Sequence, residues 1–306
     1  MKEILENTEK NPLVSVGIPT YNRPEGLKRT LENITQQTYK NLEIIISDNC
    51  SVGSETKEII RGFAANDKRI NFFLHEKNFG PAFNFQFVLD KANGEYFMWA
   101  ADDDGWDKTY ISKCIKKLIE NPEVVLCSTW ASFIDSNQNI VKNEYYEDID
   151  TLGLEKIPRL KKVIRGVVQN THYYGLRRTY PTKKIEMRKE FGLDHVFMMQ
   201  LSYYGSFVII PEVLFFCNIT GAGSNAEKNL DTVGIKSVLV RISPSFSIMR
   251  SYFKEILSTK CLSGKEKLFA IIYVIERYTT KPYIFEIIRD IRRLPAKLLG
   301  RSHKRI

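Results

Sequence analysis

Residues 14–51 read VSVGIPTYNRPEGLKRTLENITQQTYKNLEIIISDNCS and decide the fold of this chain. Two short apolar runs, Leu13–Ile18 and Leu42–Ser47, are bounded by polar turns, which is typical of strands buried in a sheet. Between them, Arg23–Gln37 carries apolar residues at helical spacing, with a proline near the start, where a helix tolerates it. The stretch therefore predicts a strand, a crossover helix and a second, parallel strand.

The same alternation continues outward along the chain. The predicted elements are a helix at Glu55–Ala65, a strand at Ile70–Leu74, a helix at Ala82–Ala92, a strand at Tyr96–Ala101, a helix from Asp107 to about Glu120 and an apolar run at Val124–Ile134. Strands that alternate with helices predict an α/β fold, with a mostly parallel sheet covered by helices on both faces.

Composition divides the chain into three segments. Residues 12–134 carry the regular alternation, and residues 135–235 mix helix and strand signals after a polar, turn-rich connection at 135–160. Residues 236–306 form a basic, amphipathic, helical tail, which prolines interrupt at positions 244, 282 and 295. We expect the first two segments to be halves of one domain.

Cysteine usage and hydropathy exclude several classes of protein. The five cysteines are scattered singly, so neither a disulfide framework nor a zinc site is indicated. The N-terminus lacks a basic flank followed by an apolar core, so it does not resemble a signal peptide. The longest apolar run near the C-terminus, Phe269–Ile275, is far shorter than the ~20 residues of a spanning helix. We therefore expect a cytoplasmic protein with reduced thiols.

Positive charge is concentrated in the tail. The whole chain has a formal net charge of +9, whereas residues 236–306 hold sixteen Lys and Arg against five Asp and Glu. Such asymmetry favours an anionic surface as partner, either lipid or nucleic acid. A solvated helical face would produce the same pattern, so that interpretation stays open.

Polar motifs follow three of the predicted strands. Pro19–Arg23 follows the first strand, Ser47–Ser51 closes the second and Asp102–Asp104 closes the fourth. In a parallel α/β sheet such ends meet in one crevice, where ligands bind. Three adjacent carboxylates repel one another, and a divalent cation such as Mg²⁺ or Mn²⁺ relieves that repulsion with hard oxygen ligands. Asp102 and Asp104 would point to one side of an extended segment, and Asp103 away from it.

Structural interpretations compete with this one. The acidic triplet could be a turn or helix cap before Thr109, and Asp48, which could accept a hydrogen bond from a nucleobase, could instead form an Asx turn. The sequence contains neither GxGxxG after the first strand nor GxxxxGK[ST], which argues against a dinucleotide fingerprint and a P-loop.

Three stretches together carry a family resemblance. They are residues 14–51 as quoted above, EKNFGPAFN at 76–84 and ANGEYFMWAADDDGW at 92–106. In order and spacing they resemble the family 2 glycosyltransferases of the GT-A fold, most closely the bacterial enzymes that build surface polysaccharide for the cell envelope. The resemblance implies a donor-binding half at 12–134, an acceptor-binding half at 135–235, and a UDP-, dTDP- or GDP-sugar as donor.

The resemblance also implies a role for each matching residue. Residues implied in binding the nucleotide-sugar are Pro19, Thr20, Tyr21, Asn22, Asp48, Asn78, Asp102 and Asp103. Asp102 and Asp104 would form the DxD pair that binds Mn²⁺ or Mg²⁺, with Asp104 on the metal. Many relatives carry an aspartate at the position of Ala101, so whether Asp102 or Asp103 partners Asp104 stays open here.

The segment Gly192–Phe197 resembles the part of the family that carries the catalytic base. Asp194 is the matching carboxylate, and a cap on a helix at His195–Tyr203 is the structural alternative. The implied reaction inverts the anomeric carbon and delivers the sugar to a hydroxyl of a saccharide or lipid-linked saccharide. The basic tail would then place the protein on the inner face of the cell membrane.

Two other classes of protein deserve comparison. A catalytically inactive sugar-binding protein could share this fold, although the intact triplet of aspartates argues against it. A nucleic-acid-binding protein could use the basic tail, but the tail has few basic-aromatic platforms and the predicted sheet edge is acidic. We therefore expect no nucleic acid as partner.

Overall fold

The computed structural model describes residues 11–187, 192–219 and 243–280, together with the single positions 284 and 288. These residues belong to two compact units. The described parts of unit 1 fall within Met1–Tyr146, Thr171–Glu186 and Val208–Gly221, and those of unit 2 fall within Glu147–Asn170, Met187–Phe207 and Ala222–Ile306.

The strands of the described residues form one sheet in the order β3-β2-β1-β4-β8-β6-β9-β5, with β7 beside β6. They are β1 (Val14–Thr20), β2 (Leu42–Asp48), β3 (Ile70–Leu74), β4 (Tyr96–Trp99), β5 (Gly105–Trp106), β6 (Val124–Ile134), β7 (Ile140–Tyr145), β8 (Leu176–Arg178) and β9 (Ser206–Asn218). The helices are α1 (Pro24–Thr35), α2 (Glu55–Asn66), α3 (Pro81–Lys91), α4 (Tyr110–Glu120), α5 (Lys156–Gly166), α6 (Thr179–Lys183), α7 (Leu193–Leu201), α8 (Pro244–Ser258) and α9 (Gly264–Thr279).

Strands β3, β2, β1 and β4 are parallel, which confirms the predicted α/β core of unit 1. Every residue of β1 and β2 is buried, as expected for strands covered on both faces. The register pairs Thr20 with Asp48, so the carboxyl ends of β1 and β2 finish level with each other. Loops that leave these two strands therefore start side by side.

Beyond β4 the sheet becomes antiparallel. Strand β8 pairs antiparallel with β4 and β6, and β5 pairs antiparallel with β9. The predicted connection at 135–160 is partly wrong, because β7 forms a hairpin with β6 and α5 begins at Lys156. Strand β7 is exposed along nearly its whole length, so it needs no apolar pattern and its sequence resembles a loop.

Unit 2 is built from helices α5, α7, α8 and α9 around its own core. Buried side chains from all four helices make up this core, among them Ile164, Met199, Tyr252 and Val274. The helical prediction for the tail is confirmed up to residue 279, although Pro244 begins a helix instead of breaking one. The helical residues predicted beyond position 280 lie outside the described residues, except for positions 284 and 288. None of the described helices is long and apolar enough to cross a bilayer.

Candidate functional site

Hydrogen bonds join the loops that follow β1 and β2. The backbone N–H of Asn22 donates to Ser51 Oγ over 2.8 Å, and the side-chain oxygen of Asn22 accepts from the N–H of Val52, also at 2.8 Å. Asn22 and Cys50 both adopt the left-handed backbone region, with φ of 55° and 68°. Such conformations are uncommon outside glycine and are enriched at functional sites. The two loops therefore form one fixed edge of the crevice.

Asp48 is fully buried where β2 ends. Its carboxylate accepts hydrogen bonds from the backbone N–H of Ser51, at 3.1 Å, and from the Ser51 hydroxyl. The structural alternative considered above, a turn closed by Asp48, is therefore present. The predicted contact between Asp48 and a nucleobase stays a prediction, because a carboxylate has several lone pairs and can accept further bonds.

Asn78 lies at the same edge, in the loop before α3. Asn49 Nδ2 donates to the side-chain oxygen of Asn78 at 2.9 Å, and the backbone N–H of Gly80 donates to the same oxygen at 2.7 Å. A second asparagine, Asn84, is buried and donates to the carbonyls of Thr20 and Ser47. The structure thus brings Thr20, Asn22, Asp48 and Asn78 together, with Asn49, Ser51 and Asn84 as linking residues that the sequence analysis did not select.

Asp102, Asp103 and Asp104 form a turn after β4, not an extended segment. Thr20 Oγ1 donates to Asp102 at 2.7 Å, the backbone N–H of Tyr21 approaches the same oxygen, and Arg23 forms ion pairs with Asp102 and Asp103. Asp104 accepts a hydrogen bond from the backbone N–H of Asn218 at 2.8 Å. Asp103 is the most exposed of the three, and the alternation of sides expected for an extended segment is not formed.

The charges of this turn are only partly compensated. Burial, together with the charge of Asp103, raises the pKa of Asp102 to about 6, although Arg23 and Thr20 act in the opposite direction. Burial and the charge of Asp103 raise the pKa of Asp104 well above its ordinary value, although a hydrogen bond from Asn218 and the charge of Arg23 act in the opposite direction. Strong perturbation of buried carboxylates in a crevice is typical of functional sites. The turn therefore favours the approach of a positive charge.

Side chains of helix α1 form hydrogen bonds with the backbone of the acidic turn and of the strand that follows it. The hydroxyl of Thr30 donates to the carbonyls of Ala101 and Asp104, and the side chain of Asn33 accepts from the N–H of Trp106. A Cβ on Gly26 would lie 2.2 Å from the carbonyl oxygen of Asp102, so only glycine permits this approach. The sequence patterns did not predict a role for these residues, although a glycine inside a predicted helix was an available signal.

The acidic turn fits a divalent cation that is shared with phosphate. Asp104 has no ion pair among the described residues, and Mg²⁺ is commonly held by one or two carboxylates plus substrate phosphates. The described residues contain no group of three or more His, Cys, Asp or Glu side chains arranged to hold a metal alone. A pair of carboxylates completed by a diphosphate is therefore the arrangement that these residues can supply.

Asp194 lies in unit 2, in the first turn of α7. Its predicted alternative role as a helix cap is wrong, because the cap position is Gly192, with φ of 73°. A Cβ on Gly192 would lie 2.4 Å from Ile248, so close packing as well as backbone conformation requires glycine here. The carboxylate of Asp194 instead accepts a hydrogen bond from Asn170 Nδ2 at 3.1 Å.

Comparison with known proteins agrees with this geometry. The profile of Glycosyl transferase family 2 matches residues 15–195, so the chain belongs to that family, as the resemblance predicts. The chain is 38% identical over 152 residues to the GalNAc(5)-diNAcBac-PP-undecaprenol beta-1,3-glucosyltransferase of Campylobacter jejuni, an alignment that covers 49% of this chain and 46% of that protein. Other curated relatives are named as putative glycosyltransferases of bacterial teichuronic acid and colanic acid biosynthesis.

Two solved structures share the fold, which confirms the GT-A prediction. Staphylococcus aureus TarS 1-349 in complex with UDP-GlcNAc superimposes with a TM-score of 0.61 at 17% identity, over 90% of this chain and 79% of that chain. The mannosyltransferase PcManGT from Pyrobaculum calidifontis, in complex with GDP-Man and Mn²⁺, superimposes with a TM-score of 0.60 at 16% identity, over 97% of this chain and 78% of that chain. The chain spans about half the length of the curated relatives that it matches.

Proposed function

We propose that this protein is a metal-dependent, inverting glycosyltransferase. It moves a sugar from a nucleotide-diphospho-sugar to a hydroxyl of a saccharide or lipid-linked saccharide acceptor. The observation that carries the proposal is the acidic turn, where Asp102 and Asp104 are buried, have raised pKa values and lie at the carboxyl edge of the sheet in a member of this family.

The donor's nucleoside would bind along the joined loops after β1 and β2. Asn22 is already held there by hydrogen bonds with Ser51 and Val52, so its side chain is in place before the donor arrives. Preorganised sites bind ligands with a smaller ordering cost. Structures of this fold contain UDP-GlcNAc in one protein and GDP-Man in another, so the fold alone does not select the base.

Asp104 would bind Mn²⁺ or Mg²⁺, together with either Asp102 or Asp103. Asp102 accepts a hydrogen bond from Thr20 and pairs with Arg23, whereas Asp103 pairs with Arg23 alone, so Arg23 restrains both candidate partners of Asp104. When bound, the metal would stabilise negative charge on the departing nucleoside diphosphate. The Mn²⁺ complex of the Pyrobaculum protein supports a divalent cation in this fold.

Asp194 would act as the general base that removes the proton of the acceptor hydroxyl. A single carboxylate base that activates an attacking hydroxyl produces one in-line displacement, which inverts the anomeric carbon. Support comes from the family match, which extends to residue 195, and from the position of Asp194 in the first helical turn, where negative charge is stabilised.

Helix α9 would bind an anionic membrane from the cytoplasmic side. Leu268, Ile272 and Ile275 form an exposed apolar stripe along this helix, and the segment around it is strongly basic. Apolar contact and basic residues together favour the headgroup region, each basic residue contributing about 1 kcal/mol. Arg277, which the sequence pattern places among these basic residues, is buried and makes no part of that surface.

Flotation with phosphatidylserine vesicles at low salt should carry the protein upward, and protein left in the soluble fraction would contradict the proposal.

A turnover assay tests the central proposal. UDP-glucose, UDP-GlcNAc, dTDP-glucose and GDP-mannose are incubated with the protein and Mn²⁺, with water as the acceptor of the sugar, and the released nucleoside diphosphate is measured. We expect release from one of these donors, its abolition by EDTA and its recovery with added Mn²⁺ or Mg²⁺. Donor binding without any turnover would instead identify a catalytically inactive sugar-binding protein, and EDTA-resistant turnover would contradict the metal.

A further inference from the structure

We infer that Asn170 is a positioning residue that orients the carboxylate of Asp194 for proton transfer. The inference rests on the proposed function, because it takes Asp194 as the general base. It extends that function to a network of buried residues in unit 2 whose members lie far apart in the sequence.

The contact between the two side chains is direct. Asn170 Nδ2 donates to Asp194 Oδ2 at 3.1 Å, and Asn170 is only 3% exposed. The opposite orientation of the amide would point its oxygen at the carboxylate, placing two acceptors against each other. The chemistry of the pair therefore fixes which face of the amide meets Asp194. An amide cannot take up a proton at neutral pH, so Asn170 holds the carboxylate without competing for the proton of the acceptor.

The backbone of Asn170 is held in an unusual conformation. Its φ is 58°, in the left-handed region that glycine and asparagine tolerate best. The buried carboxylate of Glu147 accepts from the backbone N–H groups of Val168, Gln169 and Asn170, the first and last at 3.0 Å. Three successive donors on one carboxylate oxygen leave this loop little freedom to move.

Arg277 on α9 fixes the same loop through its carbonyl groups. Its guanidinium donates to the carbonyl oxygens of Ile164 and Val167, at the end of α5 where the loop begins. Among the described residues of unit 2, Glu147 and Arg277 are the charged groups that fix this loop, and His195 is the titratable neighbour of Asp194 along the chain. Burial and Arg277 lower the pKa of His195, although Asp194 raises it. Asn170 connects the fixed loop to the carboxylate of Asp194 through its side chain.

The test compares Asn170→Gly with Asp194→Asn and with the double variant. Glycine keeps the left-handed backbone and removes the side chain together with its donor to Asp194. The probe is the donor that the turnover assay selects, with water as acceptor, so no acceptor has to be known. We expect Asn170→Gly to lower kcat by about 10- to 100-fold, as misplaced catalytic groups do, and to leave the Kd of the nucleoside diphosphate unchanged by calorimetry.

A matched control and a second variant sharpen the test. Gln138 also has a left-handed backbone, with φ of 67°, and lies in the exposed hairpin turn between β6 and β7. Gln138→Gly should keep the full kcat. Asn170→Asp keeps the size of the side chain and places a second carboxylate against Asp194, so its kcat should fall further than that of Asn170→Gly.

The double variant distinguishes positioning from a structural role. Asp194→Asn should lower kcat by about 10²–10⁴-fold, and adding Asn170→Gly should then cause no further loss, since the base that it orients is gone. Losses that multiply, or a normal kcat in Asn170→Gly beside an inactive Asp194→Asn, would overturn the inference and leave the proposed function intact. Full activity of Asp194→Asn, or a wild-type protein that releases no nucleoside diphosphate, would overturn the proposed function and this inference with it.

Discussion

The sheet of unit 1 buries carboxylates at both of its ends. At the amino end of β2, Glu43 accepts hydrogen bonds from the Ser15 hydroxyl, from Asn93 and from the backbone N–H of Gly94. Burial favours its neutral form, but these donors together hold the pKa of Glu43 below its ordinary value. At the carboxyl end, burial and mutual repulsion raise the pKa values of Asp102 and Asp104.

The difference separates a carboxylate that the protein stabilises as an anion from carboxylates that it does not. Glu43 has its donors within the protein, so it is stable as an anion and binds the strand ends together. Asp104 has one backbone donor and two anionic neighbours, so the folded protein alone does not stabilise its charge. Buried groups that lack internal compensation are the ones expected to meet a ligand.

Substitution of Asp104 should produce the largest effect on activity. We expect Asp104→Asn to lower metal-dependent turnover by about 10²–10³-fold, since the metal contributes several kcal/mol to charge stabilisation. Because the folded protein disfavours the ionised form of Asp104, the variant should also have a higher Tm than wild type at pH 7.5 in EDTA. Release of nucleoside diphosphate and thermal unfolding measure the two effects.

Asp107, three residues further along, is the control for this substitution. Burial opposes its ionisation, yet hydrogen bonds from Thr109 keep its pKa below the ordinary value. Asp107→Asn should therefore lower Tm slightly and keep the turnover. If Asp104→Asn loses stability as Asp107→Asn does, the distinction between carboxylates that the protein stabilises as anions and carboxylates that it does not is wrong.

Gly26→Ala should have an intermediate effect, because it disturbs the support of the acidic turn without removing a carboxylate. The added Cβ would meet the backbone oxygen of Asp102, which cannot rotate away, so helix or turn must shift. We expect a loss of about 1–3 kcal/mol in the free energy of unfolding, as for other overpacked sites, and at least a several-fold loss of turnover. Gly62 in α2 has open space around it, so Gly62→Ala should stabilise by about 0.5–1 kcal/mol and keep turnover.

Glu43→Gln should affect stability alone. A group whose pKa is lowered in the folded state stabilises it fully above the unfolded pKa and loses that contribution as pH falls through the folded pKa. We therefore expect the variant to be less stable than wild type by about 1–3 kcal/mol at pH 7, and the gap to close below pH 4.5, the ordinary value for Glu. Urea unfolding across pH 3–7 measures the gap, and a constant gap would show that the charge of Glu43 plays no part.

Local sequence patterns predicted the parallel half of unit 1 well. Strand β3 has the predicted bounds, and β1 and β2 run only slightly further, because Pro19 and Thr20 still pair with β2. The convergence of Thr20 and Asp102 followed from the rule that parallel strands end at one edge. The hairpin strand β7 could not be predicted from hydropathy, since both of its faces are largely exposed.

Contacts between distant residues account for what the sequence did not predict. The helix that carries Asp194 begins at Gly192 because Ile248, 56 positions later, leaves no room for a side chain. The ion pairs of Arg23 with the acidic turn and the hydrogen bond of Asn170 to Asp194 also join separate segments. The spacing of residues along the chain does not indicate such contacts.

The buried guanidinium of Arg277 gives helix α9 a structural role in addition to its proposed role at the membrane. Its hydrogen bonds to the end of α5 make this helix part of the framework that shapes the loop beside Asp194. Shortening the protein before residue 277, for instance to separate lipid affinity from catalysis, would also remove that framework. Loss of activity in such a shortened protein would therefore not test membrane binding. Replacing the exposed Leu268 and Ile272 with polar residues would test the proposed lipid contact and leave the framework in place.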